Sequence, residues 1–243
     1  MDYDAKLIAE HLTLIEEENL KRLRVKELVG LNWTKKEAED LSPNVLVIVR
    51  HFNKMTSWVS TEILRKKSSR TQVIKKFIQI AQICLEMCNF SSLMVILSGL
   101  ELTVITRLRR TWEEVKVKKC FKILEKIKNE FSLSSNYKNY RLLYQKCIEN
   151  KKPFIPLLAV HLQDIVFIHE GNQDYTNKET ETFNFEKITM FADSVHQLTL
   201  IQKRSYGLKV ESPEFITDLV SCKTYTEKEA YEESLKIEPR KQN

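Results

Sequence analysis

The region between residues 153 and 172 has apolar side chains on almost every side of a helix. Its apolar members are Phe154, Ile155, Leu157, Leu158, Val160, Leu162, Ile165, Val166 and Ile168. A helix with this pattern needs apolar neighbours on two sides. Pro156 suits the first turn, and Gly171 suits a left-handed cap after the last apolar residue. The pattern therefore predicts a helix that ends sharply at residues 170 to 172, where a carboxylate and an amide are exposed.

A second helix is predicted after a polar, turn-prone connection at residues 173 to 182. Its apolar residues recur at intervals of three and four, at Phe185, Ile188, Phe191, Ala192, Val195, Leu198 and Ile201. Two helices joined in this way form an antiparallel hairpin, and one face of this hairpin has more apolar surface than its partner helix can cover. From these residues alone, a buried core hairpin is the simpler interpretation. A helical wedge for another macromolecule is the alternative.

The rest of the chain shows the same helical spacing of apolar positions. Helices are predicted at residues 5 to 28, 44 to 66, 73 to 87, 93 to 100, 113 to 130 and 136 to 149, with a helical or mixed tail at 213 to 237. We expect a serine to cap the helix that begins at Leu93. The 243 residues include only four Gly and five Pro, so turns are scarce, and 42% hydrophobic content is ample for a core. These features predict a single all-α domain over residues 1 to 243.

The charge pattern does not indicate nucleic-acid binding. The 39 basic and 33 acidic residues are interspersed and leave a formal net charge of +6. Basic clusters at residues 65 to 67 and around Lys118 lack interleaved aromatic residues, so we interpret them as solvated faces. A slightly basic surface is compatible with action beside an anionic membrane.

Known catalytic and metal-binding patterns are also missing from the sequence. The five cysteines form no paired metal spacing with histidine, and their odd number argues against a complete disulfide framework. No H-E-x-x-H pattern occurs, and no nucleophile elbow surrounds Ser194. The N-terminal residues are charged, and no apolar run approaches the ~18 residues of a spanning helix. We expect a cytoplasmic protein without metal or cofactor, recruited at most to the cytoplasmic face of membranes.

The predicted hairpin carries the motif I-P-L-L-x-x-x-L-x-D-I-x-F-I-x-E-G-N, followed by an N-F helix. This motif resembles the catalytic helical hairpin of the RasGEF domain. Further blocks that resemble this family in the same order lie at residues 8 to 36, 41 to 64 and 70 to 112, and the family's closing segment resembles S-L-K-I-E-P-R at residues 234 to 240. The resemblance covers essentially the whole chain.

The resemblance implies an exchange factor, because RasGEF domains exchange guanine nucleotide on Ras-subfamily small GTPases. None of the four glycines belongs to a phosphate-binding loop, so the GTPase partner would carry the nucleotide. Such an exchange factor does no covalent chemistry, and it binds the nucleotide-free partner most tightly. The sequence does not identify which Ras-subfamily member is the partner.

The resemblance also implies roles for individual residues. The hairpin, at about residues 156 to 205, would pry open the nucleotide site of the partner. Val166 would intrude at the Mg²⁺ position, Glu170 would place a carboxylate near the α-phosphate, and Asn172 would hydrogen-bond at the tip. The surface that grips the partner maps onto Arg50, Asn53, Met94, Ser98, Glu101, Tyr137, Leu157 and Asp164. Each of these residues also has an ordinary structural interpretation as a core, packing, capping or ion-pairing group.

The chain departs from the family pattern at a few positions. His11 stands where the family commonly has Gln, and Leu20 where it commonly has Phe, and we interpret both as structural. Glu101 and the small, β-branched Val166 are expected to tune the choice of partner. Two other interpretations remain open: a catalytically inactive RasGEF-like scaffold, and a helical adaptor that binds a small GTPase.

Overall fold

The computed structural model describes residues 3–66, 69–131 and 136–240, without the side chain of Ile201. Lys67 of the basic cluster and the apolar contact expected of Ile201 therefore lie outside the described part. The described residues form thirteen α-helices, two 3-10 helices and one antiparallel two-stranded ribbon. The α-helices are α1 Ala5–Arg22, α2 Ala38–Leu41, α3 Pro43–Arg65, α4 Arg70–Glu86, α5 Phe90–Glu101, α6 Thr103–Thr106, α7 Arg109–Lys116, α8 Lys119–Glu130, α9 Lys138–Glu149, α10 Leu158–Gly171, α11 Phe185–Gln202, α12 Pro213–Ser221 and α13 Glu227–Ile237. The 3-10 helices are Val25–Glu27 and Val29–Thr34, and the strands are β1 Tyr175–Asn177 and β2 Thr182–Phe183.

The core lies among α1, α3, α4 and α5, which all contact one another. One continuous set of buried apolar side chains runs from Ala5 to Ala230. Helices α3 and α5 approach closely at Gly99, where an added Cβ would lie 2.6 Å from Cβ of Val59. Gly99 therefore sets the spacing of the two helices that carry most of the predicted gripping surface.

The all-α prediction is confirmed, with differences at several helix ends. Helix α1 ends at Arg22 rather than at residue 28, and two short 3-10 helices follow it. The helix expected at 113 to 130 is two helices, because Lys118 is extended and the chain turns there so that α8 packs on α4. The serine cap predicted for α5 is wrong. The cap is Asn89, whose side-chain oxygen accepts a hydrogen bond of 3.0 Å from the Ser92 N–H.

The region of the predicted hairpin contains two helices, α10 and α11, that pack against each other. Helix α10 begins at Leu158, two residues after Pro156. The left-handed cap predicted at Gly171 is wrong, because Gly171 is still helical and the chain leaves α10 in extended conformation at Asn172. The connection also differs from a simple turn, since β1 and β2 form a ribbon in which Tyr175 stacks on Phe183 at 5.1 Å between ring centroids.

Candidate functional site

The predicted gripping residues on α3 and α5 lie on two neighbouring helices. Asn53 is exposed, and the exposed Arg50 is held by an ion pair with Glu39 of α2. On α5, Met94, Ser98 and Glu101 follow one another at intervals of four and three residues, so they share one face of the helix. Met94 and Ser98 are half-buried, and Glu101 is exposed with an ion pair of 2.9 Å to Lys128.

A buried polar cluster lies beneath this face, and the sequence patterns did not indicate it. The Glu16 carboxylate of α1 accepts a hydrogen bond of 3.0 Å from the Ser91 hydroxyl and lies 3.9 Å from Nε2 of His51. Burial raises the pKa of Glu16 to about 7. Burial, assisted by the charge of Lys54, lowers the pKa of His51 to about 4. His51 directly follows Arg50, so the cluster connects the core to the candidate site.

The base of α10 is fixed by a hydrogen-bonded tyrosine of α9. The Tyr140 hydroxyl accepts a hydrogen bond of 3.0 Å from the Leu157 N–H and lies 3.0 Å from Nε2 of His161. Burial lowers the pKa of His161 to about 4, so its ring is neutral at pH 7. Leu157 itself is only 5% exposed. Tyr140 was missed by the sequence analysis, because a buried tyrosine in a helical stripe has no distinguishing pattern.

The segment that enters α10 is also bonded to the start of α5. Ile155 donates its N–H to the Cys88 carbonyl at 3.0 Å, and Phe90 donates its N–H to the Ile155 carbonyl at 2.9 Å. These two bonds connect the α5 face directly to the base of α10.

Tyr137 and Asp164 are connected through a single arginine of α9. Tyr137 is half-buried at the start of α9 and adopts a left-handed conformation with φ of 57°. Both oxygens of the Asp164 carboxylate accept hydrogen bonds of 2.7 Å from the Arg141 guanidinium. The hydrogen bond to Asp164 raises the pKa of Arg141 above its ordinary value. Arg141 thereby joins α9 to the middle of α10.

The predicted tip residues lie at the far end of α10. Val166 is half-buried and Glu170 is exposed. Asn172 is half-buried, and its side-chain amide donates a hydrogen bond of 3.0 Å to the Ile168 carbonyl, which caps the last turn. Among the described residues, no hydrogen bond or ion pair joins these three side chains to α3 or α5. The structure thus shows two groups of predicted residues, one around α3, α5 and the base of α10, and one at the tip.

A lysine of α11 holds the tip in shape, and it too was missed by the sequence analysis. The Lys187 ammonium donates to the carbonyl oxygens of His169 at 2.8 Å and Asn172 at 2.7 Å, and to the Asp174 carboxylate at 2.8 Å. The hydrogen bond from Lys187 lowers the pKa of Asp174. These three bonds connect the end of α10, the ribbon and the first turn of α11.

Large apolar side chains remain exposed around the tip. Phe167 is 56% exposed and Phe185 is 76% exposed. An apolar cleft of about 420 Å³ lies between the ribbon, the facing ends of α10 and α11, and residues 28 to 31. Within the described residues, no helix combines the length and apolar character needed to cross a membrane. The same residues include no cluster of His, Cys, Asp or Glu side chains placed to hold a metal ion.

Comparison with known proteins identifies the family. A family model of the RasGEF domain matches residues 7–189, and the chain belongs to the RasGEF family. The similar proteins include Ras guanine nucleotide exchange factor P of Dictyostelium discoideum, which is 34% identical over 98% of this chain and 16% of its own length. Ras-specific guanine nucleotide-releasing factor 1 of Rattus norvegicus is 30% identical over 98% of this chain and 19% of its own length. Ras guanine nucleotide exchange factor A of Dictyostelium discoideum is 33% identical over 99% of this chain and 41% of its own length. The chain therefore spans less than half the length of each of these relatives.

Proposed function

We propose that this chain promotes guanine-nucleotide exchange on a Ras-subfamily small GTPase. The observation that carries the proposal is the family match over residues 7–189, which includes α10, its tip and the start of α11. In this function the chain accelerates GDP release and so permits GTP loading. It does no covalent chemistry, and the GTPase holds the nucleotide.

The gripping role belongs to the face formed by α3, α5 and the start of α9. Its candidate contacts are Arg50, Asn53, Met94, Ser98, Glu101, Tyr137, Leu157 and Asp164. The close approach of α3 and α5 and the backbone bonds at Ile155 support this role, because they hold the face and the base of α10 in one arrangement. Leu157 is largely buried, so Tyr137 is the better candidate for an anchor that the partner can cover.

The prying role belongs to the tip of the α10 and α11 pair. The Glu170 carboxylate is exposed, and none of the ion pairs among the described residues uses it. A carboxylate brought next to the phosphates would repel them and compete for their hydrogen-bond donors. Val166 is apolar and would exclude the hydrated cation from its position. Lys187 supports the role, because its three bonds preserve the shape of the tip when it meets the partner.

The experiment is release of fluorescent GDP from Ras, Rap and Ral type GTPases with the chain at micromolar concentration. We expect faster release from at least one of them. Glu170→Ala should lower the maximal rate by roughly tenfold or more, as expected when one electrostatic contact of an active arrangement is removed. The matched control is Glu113→Ala, which removes an exposed helical carboxylate from α7.

The alternatives give different results in the same assay. A catalytically inactive scaffold would bind a GTPase without accelerating GDP release. A helical adaptor would bind one nucleotide state or ignore nucleotide altogether. If the folded chain accelerates release from none of the GTPases, the proposed exchange activity is wrong.

A further inference from the structure

Arg141 is the residue through which Tyr137 and the middle of α10 are connected. Its two terminal nitrogens each donate a hydrogen bond of 2.7 Å to a different oxygen of Asp164. Its Nε donates to the Asn136 carbonyl at 3.0 Å, and its backbone N–H donates to the Tyr137 carbonyl at 3.0 Å. The Arg141 side chain thus bonds Asn136, just before α9, and a carboxylate of the neighbouring helix, while its backbone makes the ordinary helical bond to Tyr137.

The backbone at the start of α9 needs this support. Asn136 and Tyr137 are both left-handed, with φ of 53° and 57°. Two consecutive non-glycine residues in this region are unfavourable and persist only where the surroundings fix them. The Arg141 side chain bonds the Asn136 carbonyl and side-chain amide oxygens at 3.0 and 3.4 Å, so it helps to fix the backbone from which the Tyr137 side chain leaves the helix.

Asp164 lies one turn beyond His161 on α10, toward the tip. His161 is bonded to Tyr140, and Asp164 is bonded to the next residue of α9, Arg141. Adjacent residues of α9 are therefore bonded to two successive turns of α10, which restricts rotation of one helix against the other as well as the distance between them. A planar guanidinium meets the two carboxylate oxygens with two parallel N–H donors, a geometry that a lysine ammonium does not reproduce.

We propose that Arg141 is a positioning residue that sets the Tyr137 anchor against α10, so that gripping and prying of the GTPase occur in one fixed arrangement. This inference rests on the proposed exchange function. The Arg141 and Asp164 side chains are 34% and 26% exposed, so solvent partly screens their charges and limits what the pair contributes to global stability. Its loss should affect exchange much more than it affects folding.

The experiment measures GDP release at a series of GTPase concentrations for the wild type and for Arg141→Lys, which keeps the charge. We expect Arg141→Lys to lower the maximal rate by about tenfold, because a small misplacement of a positioned group is costly. Asp164→Asn should have a similar effect, and the double variant should be no worse than either single variant, since both remove the same contact. Tyr137→Ala should instead mainly raise the half-saturating GTPase concentration.

The matched control is Arg22→Lys. Arg22 also binds one carboxylate through two nitrogens, at 3.1 and 2.9 Å from Glu18, but it lies on α1 away from the α9 and α10 contact. This variant should keep the wild-type rate. Melting temperatures of all variants check folding, and amide hydrogen exchange at residues 136 to 141 should be faster in Arg141→Lys than in the wild type and in Arg22→Lys.

The outcomes separate the two proposals. If the wild type accelerates release but Arg141→Lys stays within about twofold of it, as for an ordinary surface ion pair, Arg141 has no positioning role. A rate loss that merely parallels a loss of melting temperature would also overturn the inference. If the wild type is itself inactive, the proposed function fails, and unchanged hydrogen exchange at residues 136 to 141 would separately refute the positioning role.

Discussion

The Tyr140 hydroxyl forms a hydrogen bond of 3.0 Å with Nε2 of the neutral His161 ring and accepts the N–H of Leu157 at 3.0 Å. Both side chains are at least 96% buried, so water cannot replace either bond. One hydroxyl thus satisfies a ring nitrogen and a backbone donor where α10 begins. A buried polar group that satisfies two others specifies one arrangement of the helices that contain them.

Tyr140→Phe should therefore be destabilising. It leaves the Leu157 N–H and Nε2 of His161 buried without a partner, and we expect the free energy of unfolding to fall by about 1 to 3 kcal/mol. Tyr144→Phe is the matched control on the same helix. Among the described residues, the buried Tyr144 hydroxyl has no hydrogen-bond partner, so its removal should leave stability unchanged or slightly higher. Urea denaturation of both variants checks this, and equal losses would contradict it.

The close approach of α3 and α5 gives a second prediction. In Gly99→Ala the new Cβ would lie 2.6 Å from Cβ and 2.7 Å from Cγ1 of Val59, so the helices must move apart. Such overpacking should lower the free energy of unfolding by about 1 to 3 kcal/mol.

Gly171→Ala is the control for this substitution. Gly171 is also helical, and no atom lies within 4 Å of an added Cβ there. Stability should stay the same or rise by up to about 1 kcal/mol, because alanine loses less backbone entropy. Thermal melting distinguishes the two sites, and a neutral Gly99→Ala would show that α3 and α5 can separate freely.

The helices themselves could be predicted from the sequence, because each buries one apolar stripe. Spacing of apolar positions correctly placed α3, most of α4, α10 and α11. It failed where single polar contacts decide the local structure. Asn89 rather than a serine caps α5, because its side chain also bonds Thr13 and Ser92 inside the core.

The candidate site was predictable only in part, for a similar reason. The resemblance predicts which residues would face a partner, but it does not predict the side chains that hold those residues in place. Tyr140, Arg141 and Lys187 form hydrogen bonds with residues 18 to 23 positions away, and no local sequence pattern indicates such contacts. His11 does fit its structural interpretation, since it is fully buried and accepts the Ser212 N–H at 3.0 Å.

Glu16 makes stability depend on pH. Its pKa is about 7 in the folded protein, above its ordinary value of 4.5, so the folded state holds this proton more tightly than the unfolded state. The resulting stabilisation is fully present below pH 4.5 and is lost as the pH rises through 7, by roughly 3 kcal/mol in all. Glu16→Gln cannot titrate and still accepts from Ser91. Its stability relative to the wild type should therefore be greater at pH 8 than at pH 5.

Two histidines make the stability of the fold depend on pH in the opposite direction. The lowered pKa values of His51 and His161 cost stability as the pH falls from 6.5 toward 4. Both histidines are present in the wild type and in Glu16→Gln, so the difference between the two proteins reports Glu16 together with its contact to His51, which lies 3.9 Å away. Chemical denaturation at pH 5 and pH 8 measures the free energy of unfolding of the wild type and of Glu16→Gln. If the two proteins differ by the same amount at both pH values, Glu16 does not titrate with a raised pKa.

Lys187 should keep the tip of the α10 and α11 pair well ordered. In Lys187→Met the three oxygens that it binds lose their donor, so the ribbon should open more often. We expect faster amide hydrogen exchange at residues 172 to 177 and slower GDP release from the partner, with little change in melting temperature. The control is Lys178→Met, which replaces an exposed lysine in the turn between β1 and β2. It should change neither the hydrogen exchange at residues 172 to 177 nor the rate of GDP release. Unchanged protection in Lys187→Met would mean that the stacked Tyr175 and Phe183 rings suffice to hold the tip.

The proposed prying mechanism makes a final prediction from linkage alone. A protein that lowers its partner's affinity for nucleotide by some factor must itself bind less tightly, by the same factor, when nucleotide is present. This chain should therefore bind nucleotide-free GTPase more tightly than the GDP or GTP form, and added nucleotide with Mg²⁺ should release it. Glu170→Ala should reduce the difference in affinity between nucleotide-free and nucleotide-bound GTPase, because the carboxylate would no longer oppose the phosphates. Glu113→Ala should leave this difference unchanged. Calorimetric titration against the three forms measures each affinity, and a nucleotide-bound form that binds as tightly as the empty one would rule out insertion of the α10 and α11 tip into the nucleotide site.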